Sequence, residues 1–98
     1  MIQLSVAHQQ IVRKILSDQL EDHRVYFFGS RVKNSAKKYS DLDICLDGPS
    51  LSFSEISALK DAFSESDLPY FVDIVQKQSM DESFYSLVKE DLVAFDIQ

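Results

Sequence analysis

Val25-Tyr26-Phe27-Phe28-Gly29-Ser30-Arg31, followed after a short gap by Ser40-Asp41-Leu42-Asp43-Ile44-Cys45-Leu46, decides the reading of this 98-residue chain. The run 25–28 is β-branched and aromatic and stops at a glycine, which predicts a buried strand. A second strand is expected over 41–46. Side chains alternate along a strand, so Asp41 and Asp43 share one face and Leu42, Ile44 and Leu46 the other. Ten residues separate Ser30 from Asp41. They open with a basic segment, read as a short helix from Ser30 to about Lys37. Asn34 tolerates left-handed backbone and is placed to bend or end that helix. If the Gly-Ser turn and the acid pair cooperate, they lie at the same end of the sheet. The two strands must then run antiparallel.

Outward from this stretch, the pattern alternates. Val6, Ile11, Val12, Ile15, Leu16 and Leu20 recur at three- and four-residue spacing, predicting a first helix over 5–20 with Ser5 as its cap. Asp47-Gly48-Pro49 ends the second strand. Ser52 and Glu55 form a capping-box pattern that opens a helix to about Ser64. Asp67-Leu68-Pro69 breaks that helix, and Tyr70–Val75 reads as a third strand, apolar but for Asp73. Ser79 and Glu82 repeat the capping-box spacing before a last helix bearing Phe84, Leu87, Val88 and Leu92. The expected fold is a small α/β domain over 1–98, with helices packed on a mixed sheet of three to four strands. The long connection through the third helix allows the third strand to lie parallel to the second.

Composition bounds the function. The net charge of −6 opposes a general nucleic-acid binder or a templated polymerase track. No apolar run reaches the length of a membrane span, and residues 1–10 have no signal-peptide character. A single cysteine, Cys45, fits a reducing compartment, so the chain is expected to be cytoplasmic. Cys45 reads as a small buried residue. His8 and His23 have no ligand pattern around them and read as structural or surface residues. Tyr26, Phe27, Phe28, Tyr70, Phe71 and Phe84 read as core.

The chemistry concentrates in five short features. Asp41 and Asp43 stand roughly 7 Å apart along a strand. Like charges so close call for a cation, and Mg²⁺ takes one or two carboxylates plus phosphate oxygens. Asp73 is costly to bury without a partner, and beside the second strand it completes a three-carboxylate cluster. Such a cluster suits two metals clamping an in-line phosphoryl displacement. Gly29 allows a ligand close to the backbone, Ser30 adds a hydroxyl, and Arg31 adds a charge-assisted phosphate contact. Lys33, Lys37 and Lys38 extend the basic segment. The alternatives are surface acids at a turn, a sheet-edge or salt-bridged Asp73, and a lysine-rich solvated loop.

Taken together, Gly29-Ser30, the ten-residue gap, Asp41-Leu42-Asp43 and a later strand aspartate at Asp73 resemble the signature of the DNA polymerase β-like nucleotidyltransferases. Arg31, Ala36 and Ser40 make the chain similar to their minimal nucleotidyltransferase branch. That resemblance implies a palm-like nucleotidyltransferase fold. It implies an antitoxin, standing beside a HEPN-domain ribonuclease toxin in a hetero-oligomer, that transfers AMP from ATP to a tyrosine of the toxin. By the same resemblance Asp41, Asp43 and Asp73 would be catalytic and bind two Mg²⁺ ions, and Gly29, Ser30 and Arg31 would bind the nucleotide. Asn34 departs from the glycine common at its position. Two other readings stand beside this one: an antitoxin that acts by occlusion alone, and a small-molecule nucleotidyltransferase. The shortness of the chain argues against an acceptor pocket of its own, and neither a membrane nor direct nucleic-acid contact is expected.

Overall fold

The computed structural model of the chain describes residues 3–33, 35–37 and 39–97. The expectations placed on Asn34 and Lys38 therefore lie outside the described residues. Helix α1 (Val6–Gln19) starts where Ser5 accepts a hydrogen bond from the His8 amide, and buries Val12 and Leu16. Strand β1 (Arg24–Phe28) pairs antiparallel with β2 (Leu42–Asp47), with Tyr26 opposite Cys45 and Phe28 opposite Asp43. Helix α2 (Phe53–Ser64) carries the full capping box between Ser52 and Glu55. Strand β3 (Val72–Gln76) runs parallel to β2. A 3-10 turn (Lys77–Ser79) and helix α3 (Glu82–Val88) follow, and a short strand β4 (Val93–Phe95) pairs antiparallel with β1. The sheet order is β3-β2-β1-β4, so the expected mixed sheet forms with four strands.

Alternation divides the sheet. Val25, Phe27, Leu42, Ile44, Leu46, Ile74 and Phe95 join Val12, Leu16, Leu59 and Phe63 of the two long helices in one apolar core. Phe27 is fully buried and stacks on Phe95 at 4.6 Å between centroids. Truncating such a residue to alanine costs about 3–5 kcal/mol. The opposite face carries Tyr26, Phe28, Asp43, Cys45, Asp47 and Asp73, and α3 covers part of it through an edge-to-face contact of Phe84 with Phe28. Among the described residues, no helix is long and apolar enough to cross a membrane.

Three local expectations change. Among the described residues of 30–37 no helix forms. The Gly29 carbonyl accepts from the amides of Val32 and Lys33, and the Ser30 carbonyl from the Ser35 amide, which makes a turn and not a helix. Side chains then take the next backbone donors: the Ala36 amide donates to Gln3 Oε1 and the Lys37 amide to Ser40 Oγ. Such local bonds compete with helical ones. Second, the last helix is capped by Asp81, whose carboxylate accepts from the Phe84 amide at 2.7 Å, because Ser79 is already used in the 3-10 turn. That helix ends at Val88, short of Leu92. Third, Phe71 is 83% exposed and Phe84 is 39% exposed, so neither belongs to the core.

Candidate active site

The site is built where β1 ends and β2 begins. Gly29 turns the chain with φ of 80°, a conformation that disfavours any side chain. A methyl group at Gly29 would collide with the Asp43 carboxylate. Only glycine therefore lets the turn lie against that acid. Ser30 follows, half-exposed, with its carbonyl accepting from the Ser35 amide at 3.1 Å.

Asp41 is exposed, one residue before β2. Leu42 fixes the start of the strand: its amide donates to the Phe71 carbonyl at 2.9 Å, tying β2 to the segment that leads into β3. Asp43 is half-buried and sits in direct register with Asp73 on the neighbouring strand. Asp73 is exposed, because β3 is a sheet edge with solvent beside it. The premise that Asp73 is buried in an apolar strand is thus corrected, while its place beside Asp43 holds.

These three acids share one electrostatic field. Burial raises the Asp43 carboxyl from the ordinary 3.8 to about 6, with the negative charges of Asp73 and then Asp41 pushing the same way. Among the described residues, no cation pairs with Asp43 within ion-pair distance. Nor does any group of three Asp, Glu, His or Cys side chains close into a ready-made metal cage among them. The donor set nevertheless suits a hard divalent cation: carboxylate oxygens only, mutually repelling, with solvent access for waters and phosphate oxygens. Asp41, Asp43 and Asp73 are the residues that could hold it.

Arg31 lies elsewhere than its charge suggested. It is 6% exposed. Its Nε and Nη2 both donate to the Ser40 carbonyl, at 3.0 and 2.7 Å, and its Nη1 donates to the Gln3 carbonyl at 2.8 Å. The guanidinium lies 3.9 Å from the centre of the Tyr70 ring. The geometry turns it into the protein rather than toward the Gly-Ser turn. Lys33 is likewise engaged, in a 3.2 Å ion pair with Asp91. Lys37 is exposed.

A cleft of about 750 Å³ opens beside the acids, bounded by Asp41, Asp73, Tyr39, Phe71 and Lys60. Tyr39, Phe71 and Lys60 were not singled out for the site from the sequence. For Phe71 a signal existed, since two-residue alternation places it on the face of Asp73. The other polar groups are structural. His8 Nδ1 meets the Tyr70 hydroxyl at 3.1 Å, and His23 Nε2 meets the Pro49 carbonyl at 2.7 Å. Cys45 is fully buried, and burial followed by the charge of Asp47 pushes its thiol up, which disfavours the thiolate.

The Gly29 turn lies against Asp43, with Asp73 in register on the neighbouring strand and Asp41 just before β2. The nucleotidyltransferase-domain family matches residues 10–95. The chain is 44% identical over 81 residues to the probable protein adenylyltransferase MntA of Haemophilus influenzae, covering 82% of this chain and 71% of that protein. It belongs to the nucleotidyltransferase-domain family. Among solved structures, a toxin–antitoxin with AMP-PNP superposes with a TM-score of 0.74 at 23% identity, over 88% of this chain and 70% of that one. A mutant of the MntA–HpeT toxin–antitoxin, with two aspartates changed to glutamate, gives 0.70 at 20% identity over the same shares, 88% and 70%. These two show the common fold, and the resemblance and α/β architecture expected from the sequence are borne out.

Proposed function

We propose that this chain is an antitoxin that inactivates a HEPN-domain ribonuclease toxin by transferring AMP from ATP to a tyrosine hydroxyl. The observation that carries it is the set Asp41, Asp43 and Asp73, mutually repelling, without a cation partner among the described residues, and with Asp43 against the positive-φ Gly29 turn. The 44% identity to a probable protein adenylyltransferase supports the acceptor being a protein.

In this reading the tyrosine oxygen attacks the α-phosphorus of ATP. A new P–O bond forms there as the bond to the β-phosphate oxygen breaks, and pyrophosphate leaves with that electron pair. Asp73, exposed on the strand beside Asp43, would accept the hydroxyl proton. Gly29 keeps the backbone thin where the β- and γ-phosphates pass, and Ser30 donates its hydroxyl to them. Asp41, Asp43 and Asp73 would hold two Mg²⁺ ions, which would offset the triphosphate charge. Arg31 is 6% exposed with its guanidinium on the Ser40 and Gln3 carbonyls, so the phosphate contacts are assigned to Gly29 and Ser30. The reaction is set in the cytoplasm, in a hetero-oligomer of antitoxin and toxin, with residues 1–98 acting as one domain.

Incubation with labelled ATP, Mg²⁺ and the purified toxin, followed by mass spectrometry, tests this. Label on a toxin tyrosine is expected, and its loss in Asp41→Ala/Asp43→Ala. Undiminished transfer by that variant refutes the site. A wild-type chain that blocks the toxin without transferring label acts by occlusion instead.

A further inference from the structure

We propose that Arg31 is a positioning residue: its buried guanidinium clamps together the three chain segments that carry Gly29-Ser30, Asp41 and Asp73, and so sets the spacing of the carboxylates. This rests on the nucleotidyl-transfer reading of the same site. Arg31 directly follows the Gly-Ser turn. Two of its nitrogens converge on the carbonyl of Ser40, the residue before Asp41. Its flat face lies 3.9 Å from the ring centre of Tyr70, three residues before Asp73. Its remaining described bond reaches Gln3, which returns an amide to the Arg31 carbonyl at 2.7 Å and holds the Ala36 amide through its side chain.

The residue type follows from this geometry. A guanidinium offers donors in a fixed plane and stacks on an aromatic face, so one side chain serves carbonyls at its edge and a ring on its face. A lysine ammonium keeps the charge but not that plane. The bond from the Leu42 amide to the Phe71 carbonyl crosses the same junction and reports whether the clamp holds. Tyr70 is anchored in turn by His8, from α1. The clamp therefore connects the loop before β2, the start of β3 and the first helix.

Small displacements at a reacting centre are expensive: about 1 Å can cost on the order of 10²-fold in rate. The test compares Arg31→Lys, Arg31→Met, Tyr70→Leu and Tyr70→Phe with wild type, using labelled ATP and purified toxin. Arg31→Lys, Arg31→Met and Tyr70→Leu are expected to lower the saturated transfer rate by about 10- to 100-fold. The ATP concentration for half-maximal rate should change little in each. Tyr70→Phe keeps the ring and loses only the His8 bond, so it should lower the rate less than Tyr70→Leu does. Melting of each variant is followed in parallel, and rates are taken well below the transition. A rise in the half-saturating ATP concentration with the saturated rate preserved overturns the proposal, because it makes Arg31 a phosphate ligand. An unchanged rate in Arg31→Lys and Tyr70→Leu overturns it too. Should wild type transfer nothing, the proposed function fails by itself. The clamp is then read from hydrogen exchange of the Leu42 amide: at least about tenfold acceleration in Tyr70→Leu supports it, and unchanged exchange refutes it. Tyr70→Leu also serves if Arg31→Met does not fold.

Discussion

Asp43 and Asp47 lie on the same face of one strand, four positions apart, and have opposite surroundings. At the far end of β2, Lys77 sits 3.7 Å from Asp47, supplying a cation from the chain. At the near end, Asp43 faces Asp73 and Asp41, and its carboxyl is pushed up to about 6. Both ends have a glycine where a Cβ would collide: with the Asp43 carboxylate at Gly29, and with the His23 ring and the Asp22 carbonyl at Gly48. The contrast separates a carboxylate paired with a lysine of the chain from one with no cation in ion-pair distance among the described residues. An acid cluster kept at a cost to stability is a sign of function.

The largest expected effect breaks the contrast at Asp43 itself. Asp43→Asn should lower nucleotide transfer by on the order of 10²-fold or more, the several kcal/mol that bound metal supplies to such a step. The same change should stabilise the metal-free fold at neutral pH. Asp43 binds its proton more tightly folded, at about 6, than at the ordinary 3.8 of the unfolded chain. Its favourable contribution is thus complete below about pH 4 and is lost as pH rises through about 6. The group is half-exposed, so after discounting for solvent screening the gain is on the order of 1 kcal/mol. In a domain of this size that raises the melting temperature by about 4–8 °C, measurable by calorimetry.

Asp73→Lys would give the near end what the far end already has, a lysine beside the strand carboxylate. Transfer should fall about as far as in Asp43→Asn, while the metal-free protein gains about 0.2–1 kcal/mol in denaturant titration. Gly29→Ala should be milder in rate, roughly tenfold. It should also cost about 1–2 kcal/mol, because an L-residue must adopt positive φ against the Asp43 carboxylate. Lys77→Met, at the balanced end, should change transfer by less than about twofold and stability by about 1 kcal/mol or less.

The same contrast explains what the sequence could tell. The order of the three α-helices and first three strands, antiparallel pairing of the first two strands and the parallel third strand were legible from alternation, turn residues and the Ser52–Glu55 capping box, because these signals are local. The meeting of Asp43 with Asp73 followed from strand order alone. Burial at Asp73 did not, since nothing within a strand says that it will lie at a sheet edge. Arg31 read as a phosphate ligand because its charge is visible and its partners are not: Gln3 lies 28 positions away and the Ser40 carbonyl is a backbone atom. The missing helix after Ser30 has the same origin, since Gln3 and Ser40 side chains take backbone donors that a local pattern assigns to helical bonds. The Ser79 cap gave way to Asp81 through the intervening 3-10 turn, a competition between two acceptable local caps.

The central claim is that the Asp43 carboxylate is completed by a cation from solution. The most direct measurement is an NMR pH titration of its side-chain carbonyl carbon, alone and then with Mg²⁺ and AMP-PNP. A midpoint near 6 is expected in the free chain, moving well down into the ordinary carboxylate range when the metal and nucleotide are added. A midpoint already in that ordinary range in the free chain, or one that Mg²⁺ and AMP-PNP leave unmoved, would contradict it.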